Sequence, residues 1–152
     1  MKQPKLSPSA LFLITFISGL FLSWIHPWHF TYYMDDEMIR LTGVAFLFTS
    51  LTLNILAYRQ FKKSLTPHAP FLKPKVLIKN GVFTLSRNPV YLALVLSECG
   101  LAFVFDSIWF LVSAAVLLIV LDTVIVRAEE KVLKSTFNKD YETYKNKTRR
   151  WL

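Results

Sequence analysis

The feature that most constrains this chain is its alternation of long apolar stretches with short charged segments. Four stretches, roughly Leu11–Trp28, Met38–Tyr58, Pro89–Phe105 and Ile108–Val126, each run for about 17–21 residues. At the usual rise per residue, each makes a helix of about 25–32 Å, enough to cross the hydrocarbon core of a bilayer. The expected fold class is therefore an all-α membrane protein with four transmembrane helices. A hydrophobic share of 53% against 18% charged residues fits that class better than a soluble one. Lys2 and Lys5 precede the first stretch as they would in a signal peptide. However, "HPWHF" stands where a small-residue cleavage site would be needed, so an uncleaved span is expected.

Charge placement predicts the orientation. Of the 18 Lys and Arg residues, 17 lie in the N-terminal segment, in the segment from Arg59 to Arg87, or in the tail from Arg127; the exception is Arg40. A four-span chain collects all three segments on one side. The opposite side receives Asp35, Asp36 and Glu37, and then the short Asp106–Ser107 turn. The positive-inside rule puts both termini and the middle loop, 59–88, in the cytoplasm. This placement accounts for most of the net charge of +8 and removes the main argument for a nucleic-acid partner. The single cysteine, Cys99, excludes an internal disulfide and a cysteine zinc cluster. His26, His29 and His68 lack metal-ligand spacing, so no metal is expected.

Two polar segments carry the candidate chemistry. The middle loop contains "TPHAPFLKP", then "KNGVFTLSRNP". Prolines stop regular helix there and Asn80-Gly81 marks a turn, while interspersed apolar residues predict packing against the membrane face. In "SRNPVY", Asn88 suits an N-cap and Pro89 the first helical position. One reading is a capped helix with a snorkelling Arg87. The other is an anion site, because a helix start offers free amides and a positive dipole end beside a forked cation.

In the tail, Arg127, Glu130, Leu133, Phe137, Tyr141 and Tyr144 recur at helical spacing and share one face. This predicts an amphipathic helix over 127–147, either lying on the membrane or closing a site. Glu130 falls on the aromatic face, where a carboxylate suits a cationic ligand. Two further acids lie inside spans. Glu98 sits near mid-membrane, where an interhelical hydrogen bond or a protonated acid is the simple expectation, and Asp122 lies near the cytosolic end.

With these segments in view, the chain resembles the isoprenylcysteine carboxyl methyltransferase and phospholipid methyltransferase superfamily of integral membrane enzymes. The resemblance rests on "GVFTLSRNPVY" (Gly81–Tyr91), "RAEEKVL" (Arg127–Leu133), "FNKDYETY" (Phe137–Tyr144) and the closing "RRW", ordered around a helical hairpin. It implies one domain over 1–152 that binds S-adenosyl-L-methionine on the cytosolic side beneath the C-terminal helix. By position, Lys75, Val76, Leu77, Ile78, Phe83, Asn88, Pro89, Val90 and Tyr91 would line the cofactor pocket. Glu129, Glu130, Tyr141 and Tyr144 would complete it. Arg87, Arg127 and Glu130 would serve the chemistry, the arginines by steering an acidic group on the substrate. Asn88 stands for a histidine common in eukaryotic members, Phe83 for a tyrosine and Asn138 for a glycine. The implied partner is a lipid or lipidated acceptor. Prenylcysteine carboxylate O-methylation is the nearest analogy, phospholipid amine N-methylation the alternative. A non-enzymatic four-span protein or transporter with Glu98 as its proton site is the third reading. The short length suggests a prokaryotic inner-membrane protein.

Overall fold

The computed structural model describes residues 7–64 and 74–152, which form helices and turns with no strand among them. The helices are α1 (Pro8–Ile25), α2 (Asp36–Lys63), α3 (Pro89–Val104), α4 (Trp109–Val120) and α5 (Arg127–Lys147). A π-helical stretch, Leu121–Val126, joins α4 to α5. Short 3₁₀ turns occupy Phe30–Tyr32 and Gly81–Thr84. The expected loop residues Pro67, His68, Pro70 and Phe71, and Lys2 and Lys5, lie outside the described residues.

Local sequence explains most helix boundaries. Ser7 caps α1 by accepting the Ala10 amide at 3.2 Å, with Pro8 at the first helical position. The helix stops at Ile25, three residues before the expected Trp28, because Pro27 disfavours helical backbone at His26. At 28 residues, α2 outruns the expected Met38–Tyr58 at both ends. Asp36 and Glu37 in its first turn, and Lys62 and Lys63 in its last, complement the helix dipole and carry the helix past its apolar part.

Among the described residues, three helical segments are long and apolar enough to cross a membrane: α1, α2 and the continuous helix from Trp109 to Lys147. The expected third span is instead a shorter apolar helix, α3, of 16 residues. Pro89 bounds it at one end and the tight turn at Phe105–Ile108 at the other. In that turn Asp106 adopts φ 47 and accepts from the Phe30 amide at 2.7 Å, the Thr31 amide at 3.1 Å and the Thr31 hydroxyl at 2.9 Å. The Ile108 amide donates to the Trp28 carbonyl at 3.0 Å. The loop after α1 is thereby tied to the α3–α4 turn, at the end of the bundle carrying Asp35 and Asp36.

Small residues bring the helices together. A Cβ on Gly100 of α3 would stand 2.8 Å from the Leu47 side chain of α2, and one on Gly43 would stand 3.1 Å from Phe103. Ser50 of α2 donates to the Ala93 carbonyl of α3 at 2.8 Å. Gly19 of α1 packs on the Phe110 ring of α4 in the same way. Leu13, Ile17, Phe21, Leu41, Phe48 and Ile119 are exposed, an apolar outer surface suited to lipid. Glu98 is fully buried and accepts a hydrogen bond from Thr15, which links α3 to α1 as an interhelical tie. Its second oxygen finds no partner among the described residues.

The tail departs from a simple separate helix in two ways. It continues α4 without a break, through the π-helical stretch. It also bends at Asn138, whose φ of 46 and ψ of −116 are not helical.

Candidate functional site

The start of α1, the end of α2, the start of α3 and the end of α4 converge at the basic end of the bundle. Two apolar clusters floor it. Ala57, Val82 and Phe83 pack with Phe61, Ile78 and Val90. Leu121 and Ile125 pack with Leu11, Phe12, Tyr91 and Trp151. On this floor lies a network of guanidinium and carboxylate groups drawn from three parts of the chain.

Glu130 is its centre. Arg87, from the segment before α3, approaches Glu130 Oε1 to 3.1 Å and donates to the Tyr141 hydroxyl at 3.2 Å. Its side chain is only 8% exposed, and its Nε finds no acceptor among the described residues. Arg150, from the chain's closing segment, grips both Glu130 oxygens at 3.1 and 2.7 Å. The same guanidinium donates to both Asp122 oxygens at 3.1 and 3.3 Å. Trp151 Nε1 adds a bond to Asp122 at 3.0 Å. Arg127 reaches Asp122 at 3.7 Å, but its side chain is 59% exposed.

Backbone bonds seat the closing segment. The Arg87 amide donates to the Arg149 carbonyl at 3.0 Å, and Ser86 Oγ and Asn88 Nδ2 donate to the Arg150 carbonyl at 3.1 and 3.0 Å. This corrects the expected N-cap. Asn88 occupies the cap position of α3, but its side chain makes no cap bond because the Arg150 carbonyl engages its amide. The first bond closing α3 runs from the Leu92 amide to the Asn88 carbonyl, which leaves the Val90 and Tyr91 amides without an acceptor inside the helix.

The second arm of α5 folds over the same region. Tyr144 is buried and donates to the Phe83 carbonyl at 2.6 Å, and its ring meets Tyr141 edge-on at 6.5 Å. Burial and the nearby Glu130 charge push the Tyr141 phenol up to about 12, so it remains neutral. In the first turn of α5, Glu129 accepts from Tyr91 of α3 at 2.6 Å. Burial raises the Glu129 carboxyl above its usual range, and the Tyr91 bond partly offsets the shift.

The structure thus brings Arg87, Glu130 and Tyr141 into direct contact. Asn88 joins them through the closing segment and Tyr144 through Phe83. Pro89 is fully buried, Val90 and Ile78 line the floor, and Tyr91 with Glu129 forms a neighbouring pair. Lys75 and Val76 are exposed and Leu77 is partly buried. Arg127 stands at the rim. Sequence reasoning did not single out Arg150, Trp151 and Ser86, whose bonds hold the network together. The available signal was "RRW", two cations and an aromatic just beyond a helix whose first turn carries a pair of acids.

A bundle of apolar helices with a buried, charge-paired network at one end is an integral membrane protein with a polar interfacial site. Residues 38–140 match the family model described as phospholipid methyltransferase. The match covers well over half of the chain, which belongs to this family within the isoprenylcysteine and phospholipid methyltransferase superfamily of membrane methyltransferases. No curated protein and no solved structure matches it. The matched segment includes nearly all of α2, then α3, α4 and the first arm of α5. It ends before Tyr141 and the closing segment.

Proposed function

We propose that the chain transfers a methyl group from S-adenosylmethionine to an acceptor embedded in the membrane, at the end of the bundle where α3 begins. The observation that carries this reading is the contact of Arg87 with Glu130 and Tyr141. It joins the start of α3 to α5 around groups of both charges. In this reading 1–152 is one domain with four crossings. α3 serves as the short third crossing: it starts at the basic end, where Tyr91 meets Glu129, and finishes at the turn tied to the opposite end of the bundle. The basic end faces the cytoplasm, as the distribution of Lys and Arg favours, and α5 caps the donor pocket.

The residues present suit such a donor. When bound, it would supply an electrophilic methyl group on a sulfonium centre. Arg87, whose Nε has no partner among the described residues, and the Val90 and Tyr91 amides, which have no acceptor inside the helix, suit the donor's carboxylate. Glu130 suits its positive charge. Phe83, Ile78, Val90 and Pro89 offer an apolar wall, and Tyr141 and Tyr144 offer ring edges; Lys75, Val76, Leu77 and Asn88 flank them. Methyl transfer is an in-line displacement, so the main demand on these groups is to position donor and acceptor.

For the acceptor, an amine on a phospholipid headgroup is the reading we favour. An amine must lose a proton, and Glu129 is a half-buried carboxyl whose affinity for protons is raised and whose orientation is fixed by Tyr91. A prenylcysteine-type carboxylate is the second reading. It needs no base, and Arg127 at the rim, with its exposed side chain, is placed to steer it. Purified protein with labelled S-adenosylmethionine, offered vesicles of phosphatidylethanolamine or a prenylcysteine analogue, decides between them. Label in the phospholipid supports the amine reading and label in the analogue the carboxylate reading. Label in neither, with no donor binding by calorimetry, overturns the methyltransferase assignment.

A further inference from the structure

We infer that Arg150 is a resident counter-cation at Glu130, exchanged for the donor's positive charge on binding and restored when that charge is lost. This rests on the donor reading above and assigns a role to a residue beyond the family match, which ends at 140.

The geometry singles out Arg150 as the exchangeable partner. Glu130 already holds two guanidinium groups, so a cationic ligand at this carboxylate must displace one of them. Arg87 is 8% exposed, is fixed by Tyr141 and lies directly before α3. Arg150 is 30% exposed and lies on a segment of non-regular backbone after Thr148. It also has somewhere to go, because its NH1 already sits on Asp122, within reach of solvent at the rim. The backbone bonds from Ser86, Arg87 and Asn88 to the carbonyls of Arg149 and Arg150 do not involve the guanidinium. The side chain can therefore leave Glu130 while the segment stays seated.

This exchange follows the charge of the reaction. In methyl transfer the S–CH₃ bond breaks with its electron pair returning to sulfur, and the acceptor's lone pair forms the new bond to carbon. The sulfonium becomes a neutral thioether, and Glu130 keeps Arg87 but loses the second of its two counter-charges. Glu130 is 15% exposed and Arg87 meets only its Oε1, so leaving Oε2 without a donor is costly and Arg150 returns. Its return favours release of the neutral product over the charged donor.

Calorimetry on detergent-solubilised wild-type protein and Arg150→Gln, with S-adenosylmethionine and S-adenosylhomocysteine as separate ligands, tests the exchange. Without the competing guanidinium, affinity for the cationic donor should rise about tenfold, as for a charge-assisted contact. Affinity for the neutral thioether should change less than about twofold. Arg150→Lys, which keeps a charge but cannot fork across Glu130 and Asp122, should fall between and guards against a misfolded Gln variant. A parallel loss of both affinities in the two variants overturns the exchange and makes Arg150 a scaffold, while the donor site stands. Binding of neither ligand to the wild-type protein overturns the donor reading, and the exchange with it.

Discussion

Asn138 offers a direct check on the backbone of α5. Its φ of 46 and ψ of −116 place an L residue where side-chain sterics are unfavourable, inside a helix that is otherwise regular. Such a conformation costs about 1–3 kcal/mol in a residue with a Cβ. Asn lowers the cost because its short amide tolerates positive φ better than other side chains do. Glycine would remove it, at the expense of about 0.5–1 kcal/mol of extra chain entropy in the unfolded state. The net expectation for Asn138→Gly is a gain of about 1 kcal/mol, and for Asn138→Val a loss of about 1–2 kcal/mol. For a chain of this size each kcal/mol moves the midpoint by about 2–4 °C. Thermal melts of detergent-solubilised variants, followed by circular dichroism, would place Gly above wild type and Val below it. The bend directs Tyr141 towards Arg87 and Tyr144 towards Phe83, so Val should also weaken donor binding. If the valine variant melts with wild type, or the glycine variant melts below it, α5 passes Asn138 without this bend and the second arm does not close the site as described.

Other consequences are equally testable. Arg87→Ala or Glu130→Ala should weaken S-adenosylmethionine binding by about tenfold or more, read by calorimetry, since each removes a charge-assisted contact. Glu98→Gln should leave methyl incorporation intact, because Glu98 lies in the α1–α3 tie rather than in the network; a dead variant would favour a proton-carrying role. Gly100→Val should destabilise the α2–α3 pair by about 1–3 kcal/mol, measured by thermal melts, since even its first carbon meets Leu47 at 2.8 Å. The pH–rate profile for an amine acceptor should fall on the acid side as Glu129 takes up its proton, at a pH above the ordinary carboxylate range because burial raises its pKa. The Tyr91 bond stabilises the carboxylate form, so Tyr91→Phe should move that limb to still higher pH. An unmoved limb would remove Glu129 as the base.

The sequence made the apolar helices and the hairpin legible because long apolar runs favour helices in a bilayer and the turn between α3 and α4 has few residues. Arg87 and Glu130 were legible for a different reason. Each is a charge in the wrong place for a simple surface, one at a helix start and one on an aromatic face, and such misfits point to partners. The hub that joins them was not legible. Ser86 and Arg150 are 64 residues apart, and the closing segment has no periodicity to show which way its side chains face. Its register is set by carbonyls that accept from Ser86, Arg87 and Asn88, an arrangement invisible in residue types. The same competition explains the failed N-cap. Asn88 has the right chemistry for capping, but its Nδ2 donates to a carbonyl brought by distant backbone and its side chain makes no cap bond to its own helix. Asn138 is the converse case. The resemblance drawn from the sequence set Asn138 against an expected glycine, and its positive φ is a conformation that glycine adopts freely. Where local chemistry has a single outlet, as at Ser7 or Pro27, the fold follows the sequence. Where a polar group has two, the distant backbone decides, and here it builds the contacts of the proposed donor site.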